Sequence, residues 1–368
     1  MNMDVSVVIS THNQKERLRL VLAGLRAQTF SSARFEVIVV DDGCTDGTGM
    51  LLKEVALQMP LSIIPLMPNQ GRCRARNRGA SAARGQVIAF LDGDALPHPE
   101  WLQRHWEVFE QYGPNCLLCG AEWSLPDLEH LQDPQVGTFV EGPIPSVVCE
   151  HLRRRREEIV VTEDMICRDF ERIHSRAMEG GYPFPELQRL QQQTKDLLEQ
   201  YPGSPIGWIA FYPHNGLVPR AAFERAGGFD PEIPFSEGWE LAYRLQKRGL
   251  KPHFVAQART YHLYHYHGFS EPSKGYQETL TRWRAVEYMA RKNQDPGVLL
   301  VLYWLASIWP DPFLPEEMIL LDLVRFHARY QEITVAETMD VETLLCRHPR
   351  CGWAEGRLEP QVDRCEAK

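Results

Sequence analysis

The chain of 368 residues lacks an apolar run long enough to cross a membrane. Its longest run, residues 298–309, falls well short of the roughly 20 residues that a bilayer requires. We interpret this run as a buried helix. A helix lying on a membrane surface is the alternative, favoured by Trp304, Trp309 and Phe313, but no basic face accompanies these rings. Contact with a membrane is therefore expected to be peripheral at most.

A secretory signal and a disulfide framework are also missing. A strand pattern begins within a few residues of the amino terminus, which has neither the basic nor the apolar region of a signal peptide. The nine cysteines show no paired spacing, which is more typical of reduced thiols than of disulfides. Cys346 and Cys351 flank His348, but this group offers too few ligands for a zinc site. We expect a cytoplasmic protein.

An excess of positive charge is absent as well. The 40 basic and 49 acidic residues give a formal net charge of -9, so nucleic acid is not an expected partner. Hydrophobic residues make up 43% of the chain and charged residues 24%, a balance typical of a globular protein. The length is sufficient for a large core in one or two domains.

The first part of the chain alternates strand and helix patterns. Apolar runs predict strands at residues 5–10, 35–40, 61–66 and 87–91, and helical spacing of apolar residues predicts the helices that connect them. This alternation is typical of a doubly wound, mostly parallel α/β sheet.

The rhythm changes after residue 122. The segment that follows contains charged helical stretches, and beyond it a strand is predicted at residues 208–212 and a helix at 237–247. The last part is mainly helical and is interrupted by prolines. We therefore predict a sheet built from two halves, with a helical insertion between them and a helical extension after them; the boundaries are 1–122, 123–206, 207–270 and 271–368.

Two carboxylates, Asp92 and Asp94, flank Gly93 directly after the apolar run 87–91. A parallel strand would deliver both acids to its carboxyl end, where open α/β sheets bind their ligands. Two hard oxygen ligands suit Mg²⁺ or Mn²⁺, which commonly bridges to substrate phosphates. An ordinary turn is the alternative, because Asp and Gly are common turn residues.

Other polar residues end the neighbouring strands, and basic residues lie between them. Thr11 and Asn13 follow the first strand, and Asp41 and Asp42 end the second. Because the ends of parallel strands share one rim, these side chains should converge on one crevice. Four arginines within residues 69–79 lie beside a predicted helix amino terminus and could meet a diphosphate. An exposed basic helix is the competing interpretation.

Five stretches in this order resemble the motifs of family 2 glycosyltransferases: residues 5–13, 39–48, 69–79, 87–94, and 227–230 followed by 237–244. The resemblance implies a GT-A-like fold and an inverting, hexosyltransferase-like enzyme. Its donor would be a nucleotide-diphosphate sugar, with a UDP-sugar expected, and its acceptor a glycan, a lipid-linked molecule or a small molecule. A nucleotidyltransferase would share a related sheet, but the glycine-rich signature of that class is missing near the amino terminus.

The resemblance also implies roles for individual residues. A divalent cation, Mn²⁺ or Mg²⁺, and cationic side chains would stabilise the departing nucleoside diphosphate. A carboxylate base would assist the attack of an acceptor hydroxyl. Nucleobase and ribose would be held by Thr11, Asn13, Asp41 and Asp42, with Arg76 near the donor, Asp92 at the ribose or the water shell of the metal, and Asp94 as a metal ligand of the family's DXD motif.

One position departs from the family pattern. Members place Glu-Asp ahead of the helix that carries an Arg-Leu pair, and the Asp is the expected base. Counting back from Arg244, that position is Gly238. Glu237 is therefore the predicted base, with Glu240 as its orienter or replacement, although Glu240 could equally pair with Arg244. If neither glutamate reached the acceptor, the chain would be a degenerate module that binds a sugar nucleotide or glycan and partners an active enzyme.

Three histidines alternate with aromatic residues after the last predicted strand. Imidazole beside two carboxylates would suit Mn²⁺ better than Mg²⁺. His265 and His267 would share one strand face, whereas His262 would point oppositely if the strand continued, so the later pair are the predicted metal ligands. The predicted acceptor contacts are His214, Asn215 and Trp239.

Overall fold

The computed structural model describes residues 3–140, 146–181, 185–233, 235–265, 272–308 and 322–336. The chain divides into two compact units. The first comprises Met1–Glu232 and Glu237–Pro272, and the second comprises Ile233–Ser236 and Ser273–Lys368.

The first half of unit 1 alternates strands and helices as its periodicity predicts. The strands run parallel in the order β3-β2-β1-β4. The residues of β1 and β4 are almost all buried, as is typical of parallel strands in a sheet that is covered on both faces. The elements are β1 (Val5–Thr11), α1 (Lys15–Arg26), β2 (Phe35–Asp42), α2 (Thr48–Val55), β3 (Leu61–Leu66), α3 (Arg72–Ala80) and β4 (Val87–Asp92).

The remainder of unit 1 extends this sheet and carries a mainly helical insertion. Among the described residues the sheet has nine strands, and β7 and β8 form a separate pair. The elements are β5 (Ala95–Pro97), α4 (Trp101–Tyr112), β6 (Cys116–Ser124), β7 (Leu131–Asp133), β8 (Thr138–Phe139), α5 (Ser146–Arg154), α6 (Arg156–Ile159), α7 (Glu163–Arg168), α8 (Glu171–His174), β9 (Met178–Glu179), α9 (Pro185–Gln200), β10 (Asn215–Pro219), α10 (Arg220–Ala226), α11 (Glu237–Lys247) and β11 (Lys251–His262).

The order of the later strands brings distant segments together. Strand β10 runs antiparallel to both β4 and β6, and β11 runs parallel to β6. Strand β5 pairs antiparallel with β11, so that His262 lies opposite Ala95. The predicted fold class, a doubly wound and mostly parallel α/β sheet with helical additions, is confirmed.

The prediction of a strand at residues 208–212 is wrong. Gly207–Ala210 form a 3₁₀ helix, and the strand begins only at Asn215. The apolar run instead places Trp208 edge to face against Trp239 and Tyr243, with ring centroids 6.3 and 5.6 Å away. A short apolar run is compatible with either buried structure, because burial alone does not select a period.

Unit 2 is helical in its described part. Its elements are α12 (Pro272–Asn293), a 3₁₀ helix at Pro296–Leu299, α13 (Leu300–Ile308) and α14 (Leu323–Ala336). Trp304, Phe326 and Tyr330 are buried, and the Tyr330 hydroxyl donates to Asp295 Oδ2 at 2.9 Å. Trp309 and Phe313 lie outside the described residues. Among the described helices, none has the length and apolar character required to cross a bilayer.

Candidate active site

The ends of β1, β2 and β4 form one rim. The parallel register places Asp41 opposite Thr11 and Asp92 opposite Ser10. A Cβ atom at position 93 would lie only 3.1 Å from Thr11 Oγ1. Glycine between the two acids therefore lets the end of β1 approach the end of β4.

Asp41, Asp42 and Asn13 hold the loops on this rim. Asp42 accepts from the backbone N–H groups of Gln70 at 2.7 Å and Gly71 at 2.9 Å, which fixes the loop entering α3. Asp41 Oδ1 accepts from the Cys44 N–H at 2.9 Å, and Asn13 Oδ1 accepts from the Thr45 N–H at 2.8 Å. A carboxylate has about four acceptor sites, so Asp41 and Asp42 keep capacity for a ligand. Their predicted contacts with base and ribose stay predictions.

A buried arginine bridges two carboxylates beside the rim. Arg76, on α3, donates from Nη2 to Asp92 Oδ1 and from Nη1 to Glu237 Oε1, both at 2.6 Å. Burial lowers the pKa of Arg76, but the two carboxylates outweigh it and raise that pKa. Arg76 therefore stays charged, and it fixes Asp92 relative to the start of α11.

Glu237, the predicted base, lies in this ion pair. Burial raises the pKa of Glu237, but the charges of Arg76 and Arg72 outweigh it, so its pKa is lowered. The side chain is almost fully buried. A carboxylate with a lowered pKa and a buried cationic partner is a weaker base than a free glutamate. This geometry suits a positioning role for Glu237.

Position 238 cannot hold a side chain as the chain is folded. A Cβ atom on Gly238 would lie 2.6 Å from Pro213 Cδ and 2.8 Å from the carbonyl oxygen of Phe211. An aspartate there would require the segment at residues 211–213 to move. The glycine at this position therefore allows this segment to pack against α11.

Glu240, the second predicted catalytic residue, is fully buried. Its two oxygens accept from Arg244 Nε at 2.7 Å and from Nη2 at 2.6 Å. Nη2 also donates to the carbonyl oxygen of Gly228 at 2.7 Å. This is the i,i+4 pair that the sequence offered as the alternative, and it suits a role in orienting Arg244 rather than contact with an acceptor.

On the other side of the rim, Asp94 lies between two imidazoles. His265 Nε2 is 3.2 Å and His262 Nε2 is 3.4 Å from Asp94 Oδ2, and Gln14 Nε2 donates to the same oxygen at 3.2 Å. Burial raises the pKa of Asp94, but the two histidines outweigh it and hold that pKa well below its usual range. Asp94 is therefore ionised.

The placement of His262 differs from the prediction. Strand β11 ends at His262, so the alternation of faces that would separate it from His265 no longer applies, and both rings reach Asp94. Burial lowers the pKa of His262, but Asp94 and Glu122 outweigh it and raise it to about 8. His267 lies outside the described residues.

Two residues that the sequence did not single out complete the surroundings of Asp94. Glu122, on β6, lies with Oε1 3.8 Å from His262 Nδ1 and with Oε2 2.6 Å from His214 Nε2. Arg17, buried in α1, donates to the carbonyl oxygens of Leu263 at 2.8 Å and Tyr264 at 2.9 Å and so holds the segment that carries His265. The sequence signal for Glu122 is a carboxylate within an apolar strand.

A cleft of about 390 Å³ opens beside Glu122. Tyr212 and His214 line it, together with α9 of the insertion. Asn215 also borders the cleft, but its side chain is saturated inside the sheet: Oδ1 accepts from Trp101 Nε1 at 2.7 Å, and Nδ2 donates to two carbonyl oxygens. Trp239 is buried against Trp208. Of the three predicted acceptor contacts, only His214 has a partly exposed side chain that lines the cleft.

The side chains around Asp94 offer few ligands for a divalent cation. Within the described ranges, no group of three or more His, Cys, Asp or Glu side chains is arranged to hold a metal by itself. Mg²⁺ sites commonly use one or two carboxylates, with waters and substrate phosphates supplying the remaining ligands. Asp94 and His265 would fit such a site, with substrate phosphate and water as the remaining ligands.

Comparison with known proteins matches residues 6–140 to the model described as Glycosyl transferase family 2. An uncharacterized glycosyltransferase of Bacillus subtilis, YfnE, is 35% identical over 261 residues, which cover 67% of this chain and 62% of YfnE. Validoxylamine A glucosyltransferase of Streptomyces hygroscopicus subsp. limoneus is 28% identical over 257 residues, 67% of this chain and 48% of that protein. The chain thus spans less than two thirds of the length of these relatives.

The fold is similar to that of a solved structure. S. aureus TarS 1-349 in complex with UDP-GlcNAc superimposes with a TM-score of 0.52 at 15% identity, covering 83% of this chain and 73% of TarS. Identity at this level supports the shared fold alone.

Proposed function

Because the chain carries a glycosyl transferase family 2 domain at residues 6–140, we propose that it is a metal-dependent, inverting glycosyltransferase. It moves a sugar from a nucleotide-diphosphate sugar, a UDP-sugar in the first instance, to an acceptor hydroxyl. The observation that carries the proposal is the rim on which Asp92, held by Arg76, stands beside Asp94 with its two imidazoles.

The donor half of the site follows from this rim. Thr11, Asn13, Asp41 and Asp42 hold the base and ribose at the ends of β1 and β2. Asp92, whose side chain is 33% exposed, keeps one carboxylate oxygen beyond the one engaged by Arg76 and can accept from the ribose or from a metal-bound water.

The diphosphate half uses the other side of the rim. Asp94 and His265 would hold the divalent cation, together with the diphosphate and water, and His267 is a further proposed ligand. The cation supplies charge that stabilises the departing nucleoside diphosphate. The ion pair between Arg76 and Glu237 fixes Asp92 and the start of α11, so the donor acids need no rearrangement as the sugar departs.

The acceptor half lies toward the cleft. Attack by an acceptor hydroxyl from the face opposite the leaving diphosphate inverts the anomeric centre. The name of the related validoxylamine A glucosyltransferase supports a hexose as the transferred group and a small hydroxyl-bearing acceptor, and a glycan or a lipid-linked acceptor has the same reacting group.

A thermal-shift screen tests donor binding. Nucleoside diphosphates with Mn²⁺ or Mg²⁺ are expected to raise the melting temperature, because a ligand at 100 times its Kd stabilises the folded state by about 2.7 kcal/mol. UDP should give the largest shift, and EDTA should abolish it. Binding without turnover across an acceptor panel would favour the degenerate binding module. The absence of a shift with any nucleotide would contradict both functions.

A further inference from the structure

Unit 1 lacks the family's usual base. Gly238 has no room for a side chain, Glu237 is paired with Arg76, and Glu240 is paired with Arg244. An acceptor hydroxyl must nevertheless lose its proton to a group exposed at the acceptor side. The requirement is a basic atom that lines a cleft near the donor acids.

An imidazole with a carboxylate partner occupies such a place. His214 Nε2 lies 2.6 Å from Glu122 Oε2, and the side chains are 27% and 11% exposed. Both residues line the cleft. The Nε2–H group donates to Glu122, so Nδ1 carries the lone pair. Among the described residues, none forms a hydrogen bond with Nδ1.

The pair is held on three sides. Strand β6 carries Glu122 and lies between β10 and β11, and Gln191 of α9 contributes a hydrogen bond to the Glu122 carboxylate. The Tyr212 ring stacks on His214 at 5.6 Å and 28°. The imidazole is thus oriented by a carboxylate and a ring, as a general base should be.

The cleft itself suits a hydroxyl-rich molecule. Its volume of about 390 Å³ lies in the range of small-molecule sites. Its walls include Gln188, Gln191 and Gln192 of α9 together with Glu179 and Lys195. Amide and charged groups of this kind hydrogen-bond hydroxyls, so the chemistry favours a sugar or another polyol.

Building on the proposed function, we propose that His214 is the general base of the transfer and that Glu122 is its positioning residue, with a polyhydroxyl acceptor bound in the adjoining cleft. The acceptor hydroxyl gives its proton to His214 Nδ1 while its oxygen bonds to the anomeric carbon. The bond from that carbon to the diphosphate oxygen breaks, and its electron pair leaves with the nucleoside diphosphate. Glu122 stabilises the imidazolium that forms.

The charges around His214 set the pH at which it can act. Burial lowers the pKa of His214, Glu122 on β6 and Asp92 on β4 raise it, and His262 on β11 lowers it; the net result is a raised pKa. The pKa of Glu122 is lowered to about 2 because His214 and His262 outweigh its burial. Glu122 stays ionised, so activity should rise with pH as His214 loses its proton, through a pKa above 6.5.

The test compares His214→Gln with His151→Gln, the same change at an exposed position on α5. His214→Gln should lower kcat for transfer by at least about 100-fold, keep the affinity for UDP with Mn²⁺ within about twofold, and lose the acid limb of the pH profile. Glu122→Gln should move that limb to lower pH, because the charge that raises the pKa of His214 is gone.

The outcomes separate this inference from the proposed function. If the wild type neither binds nor turns over any sugar nucleotide, the proposed function is contradicted. If the wild type transfers sugar and His214→Gln keeps the wild-type kcat and pH profile, only the assignment of the base is contradicted. The same holds if turnover is lost in Glu237→Gln but not in His214→Gln. If His214→Gln does not fold, His214→Asn is measured in its place: loss of the acid limb with a lowered kcat supports the assignment, and a retained kcat and pH profile overturns it.

Discussion

Replacing Asp94 by asparagine is expected to lower sugar-nucleotide turnover by at least about 100-fold. In the proposed site this carboxylate is the anionic oxygen ligand, and a neutral amide would hold a divalent cation more weakly. The fold should survive, because asparagine has the size of aspartate and its amide oxygen can accept the hydrogen bond from Gln14. The loss should therefore be catalytic rather than structural.

Turnover and melting temperature measured on the same preparations would check this expectation. Asp164→Asn is the matched control, since Asp164 is exposed and pairs with Arg168 one helical turn away. The control should behave as wild type. Wild-type turnover in Asp94→Asn, or identical activity of the wild type in EDTA and in Mn²⁺, would show that no metal is bound at Asp94.

Replacing Arg76 by glutamine is expected to lower the free energy of unfolding by about 3–5 kcal/mol. The change removes the cation between Asp92 and Glu237 and leaves the Glu237 carboxylate buried with a neutral neighbour. Arg72 Nη1 remains 3.8 Å from Glu237 Oε1, but its side chain is exposed and solvent screens it.

Urea unfolding of Arg76→Gln beside Arg78→Gln would measure the effect. Arg78 lies on the exposed side of the same helix, so its replacement should change stability by less than about 0.5 kcal/mol. The double variant with Glu237→Gln should recover part of the loss, because the buried charge is then absent. A double variant less stable than Arg76→Gln would contradict this account of the ion pair.

The donor half of the sheet could be predicted from sequence because its signals are local. Each of β1, β2 and β4 is an apolar run that ends at the polar residues of the rim, and the helices between them show their own spacing. Parallel order then brings the strand ends together. The position of Asp92 and Asp94 on one rim follows from that pattern alone.

The acceptor half could not be predicted from sequence, because the side chains that contact one another there are far apart in the chain. Glu122 and His214 meet only through the pairing of β6 with β10, which no periodicity indicates. Because β11 ends at His262, His265 reaches the same carboxylate as His262, whereas a continued strand would have placed the two rings on opposite faces. The loss of side-chain room at Gly238 depends on the packing of Pro213, a contact between residues far apart in the chain.

The most direct test of the central claim is proton NMR of the product formed from a UDP-hexose and a sugar acceptor. We expect a new glycoside whose anomeric configuration is opposite to that of the donor, formed with Mn²⁺ or Mg²⁺ and absent in EDTA. A product that keeps the donor configuration would contradict inversion. A product formed equally well in EDTA would contradict the role assigned to Asp94 and the cation.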